Sequence, residues 1–245
     1  MTFQGNQGDG SIGGPTPGTM RINGVDVRTD AQTKGAYLTH AFFWMFAGLL
    51  LTAGVAAFVQ TNTSLLSFAA SNFLLLIVAQ FVLVLAIQFG ITRLNATAAL
   101  GMFFVYAASL GITIGLIVSL YTGASVATAF VSAAGMFGAA ALYGFVTKRS
   151  LAGLGNLLWM GVIGLMIAIA VNLFLGSSTI SLIISVIGVG LFTVLTAYHV
   201  QRIAQGNLAT ALGSSEKAAV IGALLLYLDF INLFLFLLRL TGGRR

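Results

Sequence analysis

The chain has 245 residues, 58% of them hydrophobic and 7% charged, a composition that no soluble domain of this size can cover with polar surface. Eleven Lys and Arg stand against five Asp and Glu, a formal charge of +6, and cysteine is absent. Disulfides, thiolate metal sites and thiol catalysis are therefore excluded, and the surplus of base, lying mostly in tails and short loops, is a topology signal and not a nucleic-acid surface.

Residues 1–35 hold eight Gly and both prolines of the chain. That composition is too polar to bury anything by itself and predicts a disordered, Gly-rich cytoplasmic tail, to which the sequence assigns no role. It also lacks the charged start and short apolar core of a cleavable signal, so the first span is expected to stay as an anchor. Residues 36–245 read as one membrane domain. Apolar runs predict helical spans over 38–59, 72–90, 98–121, 126–146, 155–175, 180–201 and 218–240, each near the 20 residues that cross a bilayer. The expected fold class is all-α: a polytopic membrane protein with a seven-transmembrane-helix bundle. Long Leu-, Ala- and Gly-rich runs do not suit the short alternating strands of a barrel.

With the N-terminus inside, Arg21, Arg28, Lys34, Arg93, Lys148, Arg149, Arg202 and Lys217 all fall on the cytoplasmic side, and the three opposite loops carry no base. The bias predicts a cytoplasmic N-terminus. Arg239, Arg244 and Arg245 break it: either the last span is re-entrant or the rule yields there. Gly111-Ile-Thr-Ile-Gly115 has the spacing that lets two helices approach closely, and Gly135, Gly138, Gly161, Gly164, Gly188 and Gly190 are read as further packing positions within the bundle. No internal repeat is evident, which disfavours a rocking transporter.

Asp229 lies near the middle of the apolar run from Lys217 to Arg239. At a helix centre an Asp costs roughly 2.5 to 3.5 kcal/mol of insertion free energy, against about 0.3 to 0.6 gained per Leu, Ile or Phe. The segment inserts nonetheless, and an ionisable group at that depth reads as functional, facing the bundle interior and handling ions or protons. The bland alternative is an interior hydrogen-bonding residue that fixes packing. His199, Tyr198, Gln201, Asn172, Gln80, Asn232 and Tyr227 complete the intramembrane polar inventory, and only Asp229 and His199 titrate near neutral pH.

An antiparallel pair of spans turning at Gly213-Ser214-Ser215 puts His199 and Asp229 level. A turn at Gly206-Asn207 puts His199 nearer the surface, out of reach of the acid. Asp229, Asn232, Phe236 and Arg239 share one helical stripe, so Asn232 could hydrogen-bond the carboxylate. Arg239, about 15 Å further along at 1.5 Å per residue, reads as an interfacial anchor, as do His40 and Trp44.

Enzyme classes fail on inventory. An aspartyl protease needs a second intramembrane carboxylate, a serine protease a placed nucleophile beside His199, and a metallohydrolase more than two histidines in separate spans. No residue pattern calls for a cofactor.

The last span, Leu-Tyr-Leu-Asp229-Phe-Ile-Asn-Leu-Phe-Leu-Phe-Leu-Leu-Arg, closely resembles the most specific signature of the Bax inhibitor-1 family of small seven-span membrane proteins. Ala36-Tyr-Leu-Thr, Ala140-Ala-Leu-Tyr-Gly-Phe-Val-Thr-Lys-Arg149 and Leu195-Thr-Ala-Tyr-His199-Val-Gln-Arg-Ile add to the likeness, which runs from about residue 34 to the end. The resemblance implies a bacterial inner (plasma) membrane protein acting as a pH-sensitive calcium leak, in which a sixth-span and a seventh-span carboxylate share protons. The latter maps onto Asp229. The former maps onto His199, so half of that sensor is replaced, and Ser150 stands where the family commonly has Asp. Arg93 is an approximate match to an Arg that helps to latch some members, and Tyr198 and Asn232 are expected to support the pair.

The replacement alters the electrostatics. Two facing carboxylates hold one proton when closed and attract a divalent cation when both ionise. A protonated His199 beside an ionised Asp229 is a neutral pair that attracts no calcium strongly. Loss of the imidazole proton leaves one buried negative charge, a calcium contact with fewer oxygens than that ion prefers. The expected function is a pH-modulated passive cation leak, with the lipid bilayer as surroundings. Two alternatives stand beside it: a regulator of a membrane protease or other membrane protein without ion flux, and a proton-coupled transporter that uses His199 and Asp229 as a relay.

Overall fold

The computed structural model describes residues 19–22, 25–28 and 30–243, with side-chain surroundings from residue 35 onward. Within the tail expected to be disordered, strands β1 (Thr19–Ile22) and β2 (Val25–Arg28) pair antiparallel, with Thr19 opposite Arg28 and Ile22 opposite Val25. Asn23-Gly24, a strong short-range hairpin signal, separates these two tetrapeptides in the sequence. The rest of residues 1–29 lies outside the described residues.

The helices follow in chain order: α1 (Asp30–Thr61), α2 (Thr63–Ser71), α3 (Phe73–Gly90), α4 (Ala96–Ser119), α5 (Gly123–Val146), α6 (Gly155–Leu175, entered through a 3₁₀ turn at Ala152–Leu154), α7 (Ser178–Ala204), α8 (Asn207–Leu212) and α9 (Ser215–Thr241). Seven of them are long and apolar enough to cross a membrane, and α2 and α8 are short connectors. This is the expected all-α seven-span bundle. Span edges move outward by two or three residues at several ends because polar caps belong to the helices: Asn95, Thr122, Ser177 and Ser214 each accept a hydrogen bond from a backbone N–H of the first turn. A re-entrant last span would need a break in α9, and α9 has none. Its 27 residues extend about 40 Å, enough to cross once.

The axis of the bundle is α9. In its most apolar stretch 78% of residues are buried, against 11% in α3 and in α6. Helices α1, α4, α5 and α7 pack around it, α3 lies outside on α4, and α6 lies outside on α7. Each side of α9 meets a different partner. The Tyr227 hydroxyl donates to Thr52 Oγ1 at 2.6 Å, and Thr52 donates to the Ala107 carbonyl at 2.9 Å, tying α9 to α1 and α4. Phe230 and Phe234 meet Phe130 and Phe137 of α5 edge to face, and Phe236 meets Phe192 of α7. At the far end Gly243 donates to Ser125 Oγ and accepts from the Thr122 backbone, so α9 is anchored to the start of α5. Exposed Phe43, Leu50, Phe89, Leu173 and Phe174 cover the outside, a surface suited to lipid and not to water.

The expected small-residue contacts divide. Gly111 and Gly115 lie against the Thr52 and Ala56 carbonyls and against Val55 and Val59, Gly188 against Phe236, and Gly161 against Leu191. Gly135, Gly138, Gly164 and Gly190 face open space and are not packing positions. A closer approach is at Gly144, where a Cβ would run into the Ala197 backbone. Gly144→Ala should therefore force α5 and α7 apart and cost about 1 to 3 kcal/mol. Gly135→Ala, with nothing to clash with, should be neutral or slightly stabilising. Thermal unfolding of the two purified variants tests this contact: equal melting temperatures would show that α5 and α7 do not meet there.

Candidate functional site

His199 Nδ1 lies 2.7 Å from Asp229 Oδ2. The residues are 7% and 2% exposed, so the contact is sealed within the bundle. Asp229 comes from the middle of α9 and His199 from the last turns of α7. The chain leaves α7 at Gln205 and Gly206, which had implied that the pair would be out of reach. Helix α8 removes that difficulty. Flanked by Gly206 and Gly213, both in the left-handed conformation with φ of 73° and 62°, it carries the chain outward so that α9 begins well beyond the end of α7. The level arrangement first associated with a turn near Ser214 is thereby reached through an interposed helix.

Nδ1 is the nitrogen that faces the carboxylate, and with Asp229 ionised it is Nδ1 that carries the proton and donates to Oδ2. Among the described residues the buried polar side chains are Thr52, Gln80, Thr113, Ser185, Thr196, His199, Gln201 and Asp229. Of these only His199 and Asp229 are ionisable. The others have structural partners. Gln80 donates to the Ser109 carbonyl and Thr113 Oγ1 and ties α3 to α4, and Thr196 and Ser185 bond back into α7. No fully buried side-chain nitrogen or oxygen of the described residues lacks a partner, as a low-dielectric interior requires.

The expected supporting residues fare differently. Asn232 donates to the Leu228 carbonyl of its own helix and not to the carboxylate. One turn along α9 its amide finds a backbone acceptor already at hand. Arg93 lies exposed in the turn between α3 and α4, and Asp229 has His199 as its ion-pair partner. Tyr198 does adjoin the site, its ring 5.4 Å from that of His199. Arg239 is exposed near the end of α9, as expected of an interfacial anchor.

Two features beside the pair escaped the sequence reading. Two residues beyond His199, Gln201 accepts from the Leu151 backbone N–H at 2.7 Å and donates to the Arg149 carbonyl at 2.9 Å. One amide thus clamps the α5–α6 loop onto α7, with Leu151 buried against Ala140 and Ala197. In the other direction, Leu195 and Phe192 of α7 run alongside Leu233 and Phe236 of α9, all buried, with the two rings 5.9 Å apart. A polar clamp closes one side of the pair and an apolar seam closes the other. The seam follows from periodicity once the pairing of α7 with α9 is known; the clamp has no local signal, because Gln201 acts across 50 residues of sequence.

The family model described as Inhibitor of apoptosis-promoting Bax1 matches residues 34–245. The inner membrane protein YbhL of Escherichia coli K12 is 42% identical over 229 residues, covering 90% of this chain and 96% of YbhL. An uncharacterized protein of Deinococcus radiodurans is 44% identical over 209 residues, 85% of this chain and 90% of its own length. One of Borreliella burgdorferi is 38% identical over 229 residues, 90% and 99% of the two chains. With the seven-span bundle, the acid at the centre of its last helix and these matches together, the chain belongs to the Bax inhibitor-1 family of integral membrane proteins.

Proposed function

We propose that this protein is a pH-modulated passive cation leak of the bacterial inner membrane, with its N-terminus in the cytoplasm and calcium as the ion the family resemblance implies. The observation that carries this reading is the buried 2.7 Å contact between His199 and Asp229, which joins the central helix to α7. In the closed state the imidazolium and the carboxylate neutralise each other and hold the α7–α9 seam shut. As the pH rises, the ring loses its proton. One negative charge is then left in a low-dielectric interior, and the pair keeps only the weaker hydrogen bond of a neutral donor. That charge draws a cation into the seam, and Phe192 and Phe236 must part for it to pass. Leak therefore increases with pH.

The donor set supports passage and not residence. Calcium takes six to eight oxygens, and among the described residues no group of three acids or histidines gathers around any point. Asp229 is a transient contact for the ion. A second acid in place of His199 would supply the missing oxygens and the mutual repulsion of two carboxylates.

Flux into dye-loaded liposomes, measured from about pH 6 to pH 8 where an imidazole titrates, tests the reading. Wild-type protein should leak more at the alkaline end, Asp229→Asn should lose the flux, and His199→Ala should leak without the pH dependence. An identical pH profile in His199→Ala and wild type would sink the latch. His199→Asp should raise calcium flux about tenfold or more, the factor expected when an interaction near 1.4 kcal/mol is restored. Flux in His199→Asp with none in wild type at any pH would assign this chain to regulation of another membrane protein.

A further inference from the structure

A polar groove of about 360 Å³ opens where α6 begins and α7 ends, on the same side of the bundle as the Arg149 loop. Its walls carry Asn156 and Trp159 from α6, Tyr198 and Arg202 from α7, and Gln205 and Asn207 from the turn into α8. No acid lines it. Among the described residues the hydrogen bonds made there run from Gln201 to Leu151 and Arg149 and from Asn207 to Gln205, and none of these engages the Arg202 guanidinium. Arg202 is half-buried, with five N–H donors in a fixed fork that matches a phosphate. The single amide oxygen of Gln205 is taken by Asn207 at 3.2 Å, which leaves the Gln205 NH₂ and one Asn207 N–H as additional donors. Trp159 and Asn156 line the same space. The groove is a surplus of donors around one cation.

Its depth identifies the occupant. Arg202 is in the last turn of a membrane-crossing helix and Trp159 in the first turns of another, the level at which basic and indole side chains meet headgroups. Beyond Trp159 the outer face of α6 continues as exposed Met160, Ile163 and Ile167, a track for acyl chains. We infer that this groove is a binding site for the phosphodiester headgroup of an anionic phospholipid, held by Arg202 with Asn156, Gln205 and Asn207. This does not depend on the leak reading. The site adjoins the buried pair, since Tyr198 lines the groove and its ring neighbours that of His199.

The chain has two tryptophans, Trp44 and Trp159, so Trp44→Phe leaves Trp159 as the reporter for lipids brominated on their acyl chains. In full-length Trp44→Phe protein reconstituted in mixed bilayers, brominated phosphatidylglycerol should quench Trp159 with an association about fivefold stronger than brominated phosphatidylcholine, the factor one basic residue contributes near an anionic surface. Arg202→Gln should bring that ratio to one, while Arg149→Gln, an exposed base outside the groove, should leave it unchanged. Should Arg202→Gln fail to fold, Asn156→Leu takes its place and should lower the ratio. Equal quenching by both lipids, selectivity that survives both groove variants, or selectivity lost to the same degree in Arg149→Gln would overturn the site. Reversal of quenching by millimolar inorganic phosphate would show a soluble phosphate as the ligand and overturn the lipid assignment.

Discussion

A carboxylate at the centre of an apolar bundle requires a partner that is already in place, because neither lipid nor packed hydrocarbon solvates it. Here the partner is His199, and the demand that it meet Asp229 fixes how α7 and α9 lie against each other. Much of the bundle follows from that pairing. Gly144 lets α5 close on α7 at Ala197, two residues before His199, Gln201 draws the α5–α6 loop over the same region, and α8 supplies the offset that brings the two helices level. Removing one member of such a pair is costly because it leaves the other uncompensated.

A histidine facing an acid is a different device from two facing acids. Two carboxylates in contact are held together by a shared proton and driven apart when it leaves. An imidazole and a carboxylate lack that mutual repulsion, and His199 Nδ1 and Asp229 Oδ2 lie within hydrogen-bond distance at 2.7 Å. The apolar seam formed by Phe192 and Phe236 lies beside this contact and packs α7 against α9 independently of any charge.

The spans, their order and the depth of the acid were legible in the sequence because they are local properties of apolar runs. The position of α9 at the centre was not. Its mean hydropathy is 2.3, the same as that of the span containing α6 and below the 2.5 of α3, yet it is buried on all sides where those two face outward. Hydropathy measures preference over water, and a Leu in lipid and a Leu in a bundle look alike by that measure. The same blindness affected the glycines. Gly111 and Gly138 are equal as letters, but one touches a backbone carbonyl and the other touches nothing. Asn232 failed for a more local reason, since its amide was satisfied by its own helix before it could reach Asp229.

The burial of α9 also sets an order of assembly. Synthesis runs from the N-terminus, so the helices that surround α9 enter the membrane before the helix that they enclose. Until it arrives, Thr52 of α1, Phe103 of α4, Phe137 of α5 and His199 of α7 have no common centre to pack against. The early bundle is a shell whose inner surface is exposed to lipid or collapsed on itself, and His199 is a base awaiting its acid. Arrival of α9 would fill that shell and bring Asp229 to His199 in one event.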